Sequence, residues 1–479
     1  MLASPSINRH LIRDSAFLNP FLAMLLFQVG QLVFLVFMES INFALLIGWL
    51  FSFSAIAVMA LVGSVSTVFN LRSPNLVGIF GLSFAMFVLL PLPSVVRDGI
   101  GTQGGDPIIF CAATVIAFFV TIFVSFVATH ALNGFRIQNS HANRQSNVEN
   151  LILLLFVACS LSILWFVLTV KSDLPIFLKV SGHATQEVMV ARSAALTGRS
   201  GSLLAYLFEF SRNFALPIVS AYSVVSFKRS RSFEAGVIAA VFLSVATVAS
   251  VLTLEKSPLV RLMVVCLVAW AWEGRSISRR VVLVGTLSVF VTFLVLVRVG
   301  IGNGGTSNEL GRVLTAAWQR VADGPTRIAG DYFAWHDESR SAFGLGRSTS
   351  PLSRMLTDSS VDPAALVYAY ADPTGTLKGS ANGAFFAQLW VDFGWFGILV
   401  GSTIVGAGIS TIQFVIQRIK NSIIRSALFG LFAVQTAFLI LTAASESIFS
   451  IGFGALDLIL LAVAWQRMPT NCQSEQKFS

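Results

Sequence analysis

Long apolar runs separated by short polar connections make up most of the chain. Most of these runs contain about the 20 residues that an α-helix needs to cross a bilayer. The pattern predicts an all-α polytopic membrane protein with about twelve transmembrane helices and with both termini on the same side. The predicted spans are 17–38, 41–64, 76–96, 107–129, 150–170, 203–226, 233–253, 258–272, 281–298, 386–415, 424–444 and 448–465.

The composition excludes an ordinary soluble protein. Only 11% of the residues are charged and 55% are hydrophobic, whereas a soluble domain carries about 25% charged residues. The net charge of +9 would suggest a nucleic-acid partner in a soluble protein. Here the basic residues lie mostly in the short connections between apolar runs, so they indicate orientation in a lipid bilayer instead.

Lys and Arg residues are concentrated on the side of the N-terminus. The short connections on the opposite side hold little beyond Arg97 and Lys256. By the positive-inside rule, both termini are expected in the cytoplasm. The basic residues on the cytoplasmic side would be Arg9, Arg13, Arg72, Arg136, Arg144, Lys228, Arg229, Arg231, Arg275, Arg279, Arg280, Arg418, Lys420 and Arg425.

Two long segments, 171–202 and 299–385, then fall on the outer side of the membrane. The second divides the chain into 1–298, which holds nine predicted helices, the loop 299–385 itself, and 386–479, which holds the last three and a cytoplasmic tail. A loop of about 85 residues is uncommon in a compact protein unless it has a function. Its seven basic residues are balanced by eight acidic ones, so the loop is not a basic patch.

The large loop contains three candidate features. Residues 306–309 have the spacing of a capping box, and the apolar positions after them predict a helix that ends at 323–325, with Arg312 off its apolar stripe. The segment from Arg327 to Glu338 places a base, carboxylates and an imidazole among aromatic residues, and includes Asp331 and His336. Arg347 follows a glycine-rich turn whose backbone could approach a phosphate.

Each of these features has a structural interpretation as well. A single histidine in a loop is more often a satisfied surface residue than a catalyst, and a single arginine is more often a local ion-pair partner. Aromatic residues near a bilayer surface often form an interfacial belt. The functional alternative is a sugar-binding cleft, because aromatic walls with a few fixed polar groups suit amphipathic ligands.

The smaller outer segment and the span after it carry further charges. Arg192 and Arg199 lie in an amphipathic stretch of net charge +2, which is either a helix anchored at the headgroups or a site that holds a diphosphate through guanidinium groups. Glu209 and Arg212 are three positions apart inside a predicted span, where charges face the protein interior or a wet cavity. They either pair with each other or extend a basic path below Arg192.

Several other patterns carry no function. The four cysteines, Cys111, Cys159, Cys266 and Cys472, lack metal-ligand or redox spacing. Gly300 to Gly305 matches a dinucleotide-binding fingerprint, but no βαβ unit surrounds it. The tripeptide Asp392-Phe-Gly394 occurs without the other kinase elements. We interpret both motif matches as chance.

The order of spans and loops resembles that of the Wzy-type O-antigen and oligosaccharide repeat-unit polymerases, a group that includes the O-antigen ligases. The layout of twelve spans with two long outer loops covers nearly the whole chain. The direct matches are residues 174–187 with Ala191-Arg192 and 201–206, then 343–352, and then 379–397.

The resemblance implies a GT-C-like, metal-independent glycosyltransferase without cofactors, in the inner membrane of a bacterium. It would polymerise undecaprenyl-diphosphate-linked oligosaccharide repeat units on the periplasmic face, with a chain-length regulator as a further expected partner. Arginines in both outer loops would bind substrate, at Arg192 and at Arg312, Arg327 or Arg347. His336 or Asp331 would be the catalytic base.

Two other functions compete with polymerisation. A lipid-linked oligosaccharide flippase or ion-coupled transporter would use Asp457, Glu209 and Arg212 in an alternating cavity. An O-antigen ligase would perform the same chemistry on a different acceptor.

Overall fold

The computed structural model describes residues 20–37, 42–65, 75–97, 105–133, 145–183, 187–188, 190–191, 203–254, 256–273, 324–339, 363–371, 383–419 and 421–441. These residues are almost entirely helical and contain no strand. The first helices are α1 Pro20–Phe37, α2 Phe43–Val65, α3 Leu76–Phe84, α4 Leu92–Val95, α5 Pro107–Asn133, α6 Gln145–Val170 and α7 Pro175–Val180.

The second part of the chain continues the same pattern. A π-helical turn, Ala85–Leu89, joins α3 to the turn before α4, and a second, Ser211–Ala215, joins α8 to α9. The remaining helices are α8 Leu203–Phe210, α9 Leu216–Ser230, α10 Phe233–Val251, α11 Lys256–Glu273, α12 Gly324–Ser339, α13 Pro363–Ala371, α14 Phe385–Arg418 and α15 Ser422–Leu441.

Ten of the twelve predicted apolar runs coincide with helices of the structure, and 281–298 and 448–465 lie outside the described residues. Among the described helices, seven are long and apolar enough to cross a membrane. The polytopic helical membrane protein predicted from the sequence is therefore confirmed, whereas the number of twelve spans and the GT-C-like arrangement stay predictions. The seven spans are Phe43–Gly63, Leu76–Val95, Pro107–Leu132, Glu149–Val170, Phe233–Val251, Phe385–Arg418 and Ser422–Leu441.

Helices α5 and α14 pack side by side in parallel. Three hydrogen bonds join Ser, Thr and Gly positions of the two helices, and the two members of every pair are 281 residues apart. Both helices therefore run in the same direction. The twelve-span prediction makes these helices the fourth and the tenth crossing, which also run in the same direction. The bonded pairs are Thr121–Ser402, Ser125–Gly406 and Thr129–Ser410.

Small residues allow this close approach, as they do in membrane helix pairs generally. A Cβ atom added at Gly406 would lie 2.6 Å from the Thr121 carbonyl oxygen, whereas one at Gly408 would meet nothing within 4 Å. We expect Gly406→Ala to destabilise the protein by about 1–3 kcal/mol through overpacking. Gly408→Ala is the matched control and should be neutral or slightly stabilising, because alanine favours a helix more than glycine does. Thermal unfolding in detergent would measure both; equal melting temperatures would contradict this packing.

Prolines free carbonyl groups at the end of α3. Pro91 and Pro93 have no N–H group, so the carbonyls of Phe87 and Leu89 lack their usual helical donors four residues later. The Leu89 carbonyl accepts a hydrogen bond from Ser52 instead, and Gln28 donates to the Ser52 hydroxyl. Each of these two carbonyls accepts a hydrogen bond from the side chain of another segment.

The two ends of the bundle differ in chemistry. At one end, Lys228 Nζ donates to the Trp270 carbonyl over 2.6 Å, Arg229 Nη1 donates to Ser422 Oγ over 2.8 Å, and Ser426 Oγ donates to Glu273 over 2.7 Å. Helix α14 ends at this basic end and begins at the other. The start of α5 and the start of α14 lie together at that other end, because the two helices pack in parallel.

Candidate functional site

Helix α12 comes from the large polar loop and packs against the bundle at the end opposite the basic one. It begins at Gly324 with Pro325 in its first turn, a position that proline favours. Its buried face includes Thr326, Ala329, Tyr332 and Phe333, each at most 1% exposed. This spacing of three and four residues is that of one helical face.

The first contact of α12 with the bundle is a hydrogen bond. The hydroxyl of Thr326 donates to the Phe87 carbonyl oxygen at 2.8 Å and lies 3.4 Å from the Val88 carbonyl oxygen. Pro91, four residues after Phe87, cannot donate to this carbonyl, because proline has no N–H group. The π-helical turn therefore connects the first turn of α12 to the transmembrane part.

Aromatic side chains form the middle of the interface. The Phe333 ring stacks on Trp390 with centroids 4.8 Å apart and meets Phe110 edge-on at 5.0 Å. Tyr332 packs over Gly383, where an added Cβ atom would lie 2.9 Å from the tyrosine ring. Edge and stacked aromatic pairs stabilise beyond their buried area, so α12 sits in a defined position over the start of α14.

His336 lies on the same side of α12 as this interface. Its side chain is 12% exposed and its ring meets Trp390 edge-on, with centroids 6.3 Å apart. His336 Nδ1 is 3.7 Å from an oxygen of Asp337, whose other oxygen is 3.4 Å from the Asp106 amide nitrogen at the start of α5. The imidazole is thus packed between α12 and the first turns of α14.

A second group of polar residues lies on the other side of α12. Arg327, Asp331 and Glu338 are four and seven positions apart, which places them along one side of the helix. Burial raises the pKa of Asp331 to about 6, and the nearby Arg327 charge limits that rise. Tyr370 of α13 donates a hydrogen bond to Glu338; burial and the neighbouring carboxylates raise the pKa of this phenol to about 12. Asp331 is therefore a carboxyl group that titrates near pH 6.

The two predicted catalytic bases do not converge. Asp331 and His336 are five positions apart on one helix, which separates their directions by about 140° at 3.6 residues per turn. Asp331 shares its side with Arg327 and Glu338, whereas His336 shares its side with Phe333 and Trp390. One reacting hydroxyl group cannot bond to both side chains directly in this arrangement.

Glu209 and Arg212 pair with each other, which is one of the two interpretations that the sequence leaves open. Arg212 Nη2 is 2.7 Å from Glu209 Oε1, and Nη1 donates to the Thr253 hydroxyl. Asn213 Nδ2 donates to the other Glu209 oxygen at 2.7 Å, and the guanidinium lies over the Phe208 ring at 5.3 Å. Arg212 is 3% exposed and sits in a π-helical turn just before Pro217. A role of Arg212 in substrate binding stays a prediction.

The remaining predicted site residues lie outside the described residues. They are Arg192, Arg199, Arg312 and Arg347, together with Asp457 of the transporter alternative. The predicted helix that follows the capping box at 306–309 also lies outside. Arg327 is exposed in the first turns of α12, and its role in substrate binding stays a prediction.

Sequence reasoning missed several residues that build the site. From the sequence, we interpret the segment from Arg327 to Glu338 as a group of polar and aromatic residues and predict no helix there. Its buried positions recur at helical spacing, which could have indicated one. Tyr370, Thr326 and Trp390 had no local signal that paired them with this segment. Gly394 belongs to a tripeptide that we interpret from the sequence as a chance match. Its φ of 57° nevertheless breaks the regular helix within α14, and only glycine adopts that backbone conformation readily.

Within the described ranges, no three His, Cys, Asp or Glu side chains are placed to hold a metal ion. Cys111 and Cys159 are buried free thiols and Cys266 is half-buried. Metal-independent chemistry stays a prediction.

Comparison of the chain with models of protein families, with curated proteins and with solved structures found no match. The resemblance to repeat-unit polymerases therefore stays a prediction from the residues quoted above.

Proposed function

We propose that the protein is a membrane glycosyltransferase that polymerises undecaprenyl-diphosphate-linked oligosaccharide repeat units. The observation that carries the proposal is a polar helix packed against the end of an apolar bundle, with a carboxyl group of pKa about 6 beside an arginine and a tyrosine. Such a substrate has an apolar tail in the bilayer and a polar head at its surface. Its reacting groups would therefore lie at the level of α12.

The separation of the bundle ends supports the sidedness of this proposal. Lys228, Arg229 and Arg418 lie at the end opposite α12. Under the positive-inside rule that basic end would be cytoplasmic, and α12 with Asp331 would then face the periplasm. This sidedness agrees with the expectation from the sequence that both termini are cytoplasmic. The periplasmic face is the one on which lipid-linked repeat units would be joined.

The reaction exchanges one bond for another. The acceptor sugar hydroxyl forms a glycosidic bond to the anomeric carbon of the donor chain, and the bond from that carbon to the diphosphate oxygen breaks. The hydroxyl proton passes to the Asp331 carboxylate, and undecaprenyl diphosphate leaves with the bonding electrons. A general base with a pKa near the working pH suits this step.

Charge builds on the departing diphosphate in the transition state. Guanidinium groups stabilise such charge and can bond a phosphate in a bidentate way. Arg327 is the candidate within α12. Arg192, Arg199, Arg212, Arg312 and Arg347 remain the other predicted contacts.

We assign the base to Asp331 and keep His336 as the alternative. Asp331 lies on the side of α12 that bears Arg327 and Glu338, so it combines a base with a cation and a second carboxylate. His336 packs against Trp390 at the interface between α12 and α14. Asp331→Asn and His336→Gln distinguish the two, because only the true base should control the acid side of the activity profile.

Deleting the gene and adding it back tests the class of function. We expect the deletion strain to display single repeat units and no long polymer, with length restored by the wild-type chain. Polymer stranded on the lipid carrier would show a ligase instead. Repeat units accumulating in the inner leaflet would show a flippase. Either result would contradict the polymerase proposal. Immunoblots of membrane-inserted protein provide the control for expression.

A further inference from the structure

We propose that Thr326 is a positioning residue, which holds α12 and its carboxyl group in place through the Phe87 backbone carbonyl, to which Pro91 cannot donate. The functional consequence rests on the proposed function, because Asp331 is the base there. The structural part of the inference, a hydrogen-bonded latch between the large loop and the bundle, is independent of it.

The acceptor of the latch is created by the sequence of the π-helical turn. In a regular helix, the Phe87 carbonyl would accept from the amide of residue 91, but proline has no N–H group. The turn wraps from Ala85 to Leu89 and closes with the Leu90 amide bonded to the Ala85 carbonyl at 2.9 Å. The Phe87 carbonyl accepts a hydrogen bond from Thr326, which belongs to another segment. π-helical turns are frequent at functional sites.

The donor of the latch is fully buried. The Thr326 side chain is 0% exposed, and its hydroxyl reaches the Phe87 carbonyl oxygen at 2.8 Å across 239 residues of sequence. A buried polar group needs its partner, because leaving it unsatisfied costs more than the bond itself contributes. The bond gives the Thr326 hydroxyl an acceptor. It also gives the Phe87 carbonyl a donor, which Pro91 cannot provide.

The latch and Asp331 share the short helix α12, so loosening the first turn of this helix would also disturb the surroundings of Asp331. Thr326 and Asp331 are five residues apart in one helix, or about 7.5 Å along its axis. Weakening the first turn of α12 would let water reach Asp331, whose raised pKa depends on burial. The pKa of this carboxyl would then fall from about 6 towards its ordinary value near 3.8.

Hydrogen–deuterium exchange of the purified full-length protein tests the latch directly. We expect Thr326→Val to speed amide exchange in residues 324–339 roughly fivefold, as loss of one hydrogen bond would. Thr326→Ser keeps the hydroxyl and should restore slow exchange. Thr403→Val is the matched control, because the Thr403 hydroxyl bonds only within its own exposed helix turn in the described contacts, and it should leave 324–339 unchanged.

A double-variant cycle tests the role of Pro91. Pro91→Ala supplies an N–H group that competes for the Phe87 carbonyl, so it should speed the same exchange by itself. Combining it with Thr326→Val should add little, because both variants break one bond. Independent, additive effects, or equal exchange in Thr326→Val and the Thr403→Val control, would overturn the latch.

The activity readout separates the latch from the proposed function. In polymerisation assays, Thr326→Val should move the acid side of the pH profile to lower pH, and Thr326→Ser should not. If amide exchange is faster in Thr326→Val but the wild-type protein does not polymerise repeat units, the latch is supported and the polymerase proposal is refuted. Polymerisation with unchanged exchange in Thr326→Val would refute the latch alone.

Discussion

Replacing Asp331 by asparagine will abolish long polymer while leaving single repeat units on the cell surface. A general base contributes a factor of about 10²–10⁴ to the rate, and an amide cannot accept the proton from the acceptor hydroxyl. Chain length on gels of extracted polysaccharide measures the effect. His336→Gln is the comparison variant on the other side of α12. Full polymer length with Asp331→Asn, at normal expression, would remove Asp331 from the site.

The pH dependence of the same reaction follows from the pKa of Asp331. The base works as the carboxylate, so activity should fall below about pH 6, where the group becomes protonated. Arg327 favours the charged form. Arg327→Gln should therefore raise the pKa of Asp331 further and move the acid side of the profile to higher pH. Arg229→Gln, at the opposite end of the bundle, is the control.

Stability should change in the opposite sense to activity. The folded-state pKa of Asp331 is raised from 3.8 to about 6, so the folded protein prefers the protonated form. Ionisation between about pH 4 and pH 6 then costs stability, and the cost persists above pH 6. Asp331→Asn removes this cost, so the variant should be at least as stable as the wild type at pH 8. If the Asp331→Asn protein were unfolded, unfolding and not the loss of a base would explain its inactivity. That result would contradict the stability expected here.

Removing Glu209 will destabilise the protein more than removing Arg212. Arg212 is 3% exposed and Glu209 is 36% exposed, so Glu209→Leu removes a carboxylate partner from a buried cation, whereas Arg212→Met leaves a carboxylate that water can reach. Breaking a buried pair from one side costs about 3–5 kcal/mol. Thermal unfolding of the two variants measures the difference.

The double variant completes this test. Glu209→Leu combined with Arg212→Met removes both charges and should recover much of the stability lost in Glu209→Leu alone. Equal losses in both single variants would contradict a structural role for the pair. Glu209→Gln is the functional control: loss of polymer in this variant without loss of stability would instead show a direct role in function.

The transmembrane helices were predictable because their signal is local. An uninterrupted apolar run such as 107–129 predicts a helix wherever it packs, and the structure has Pro107–Asn133 there. The segment 203–226 is also helical, but Pro217 and the pair Glu209–Arg212 replace a regular helix by two helices around a π-helical turn. Proline could have signalled this break, since its ring removes a donor within the run.

The candidate site was only partly predictable, because its contacts join distant parts of the chain. Asp331, Arg327 and His336 were selected for their chemistry, but residue types alone do not show that Asp331 and His336 point to different sides of one helix. The bond from Thr326 to Phe87 spans 239 residues, and a single sequence has no periodicity that pairs such positions. The raised pKa of Asp331 depends on burial in the folded protein, which the residue type alone does not reveal.

Polymerisation by the purified protein would test the proposed glycosyltransferase activity without any other component of the cell. The protein, reconstituted into vesicles, would receive only a radiolabelled undecaprenyl-diphosphate-linked repeat unit, with a chelator present throughout. We expect lipid-linked products of two or more repeat units, released undecaprenyl diphosphate in equal proportion to the new glycosidic bonds, and neither product with Asp331→Asn. Repeat units that stay monomeric with the wild-type protein, or that only move across the bilayer, would contradict the polymerase proposal.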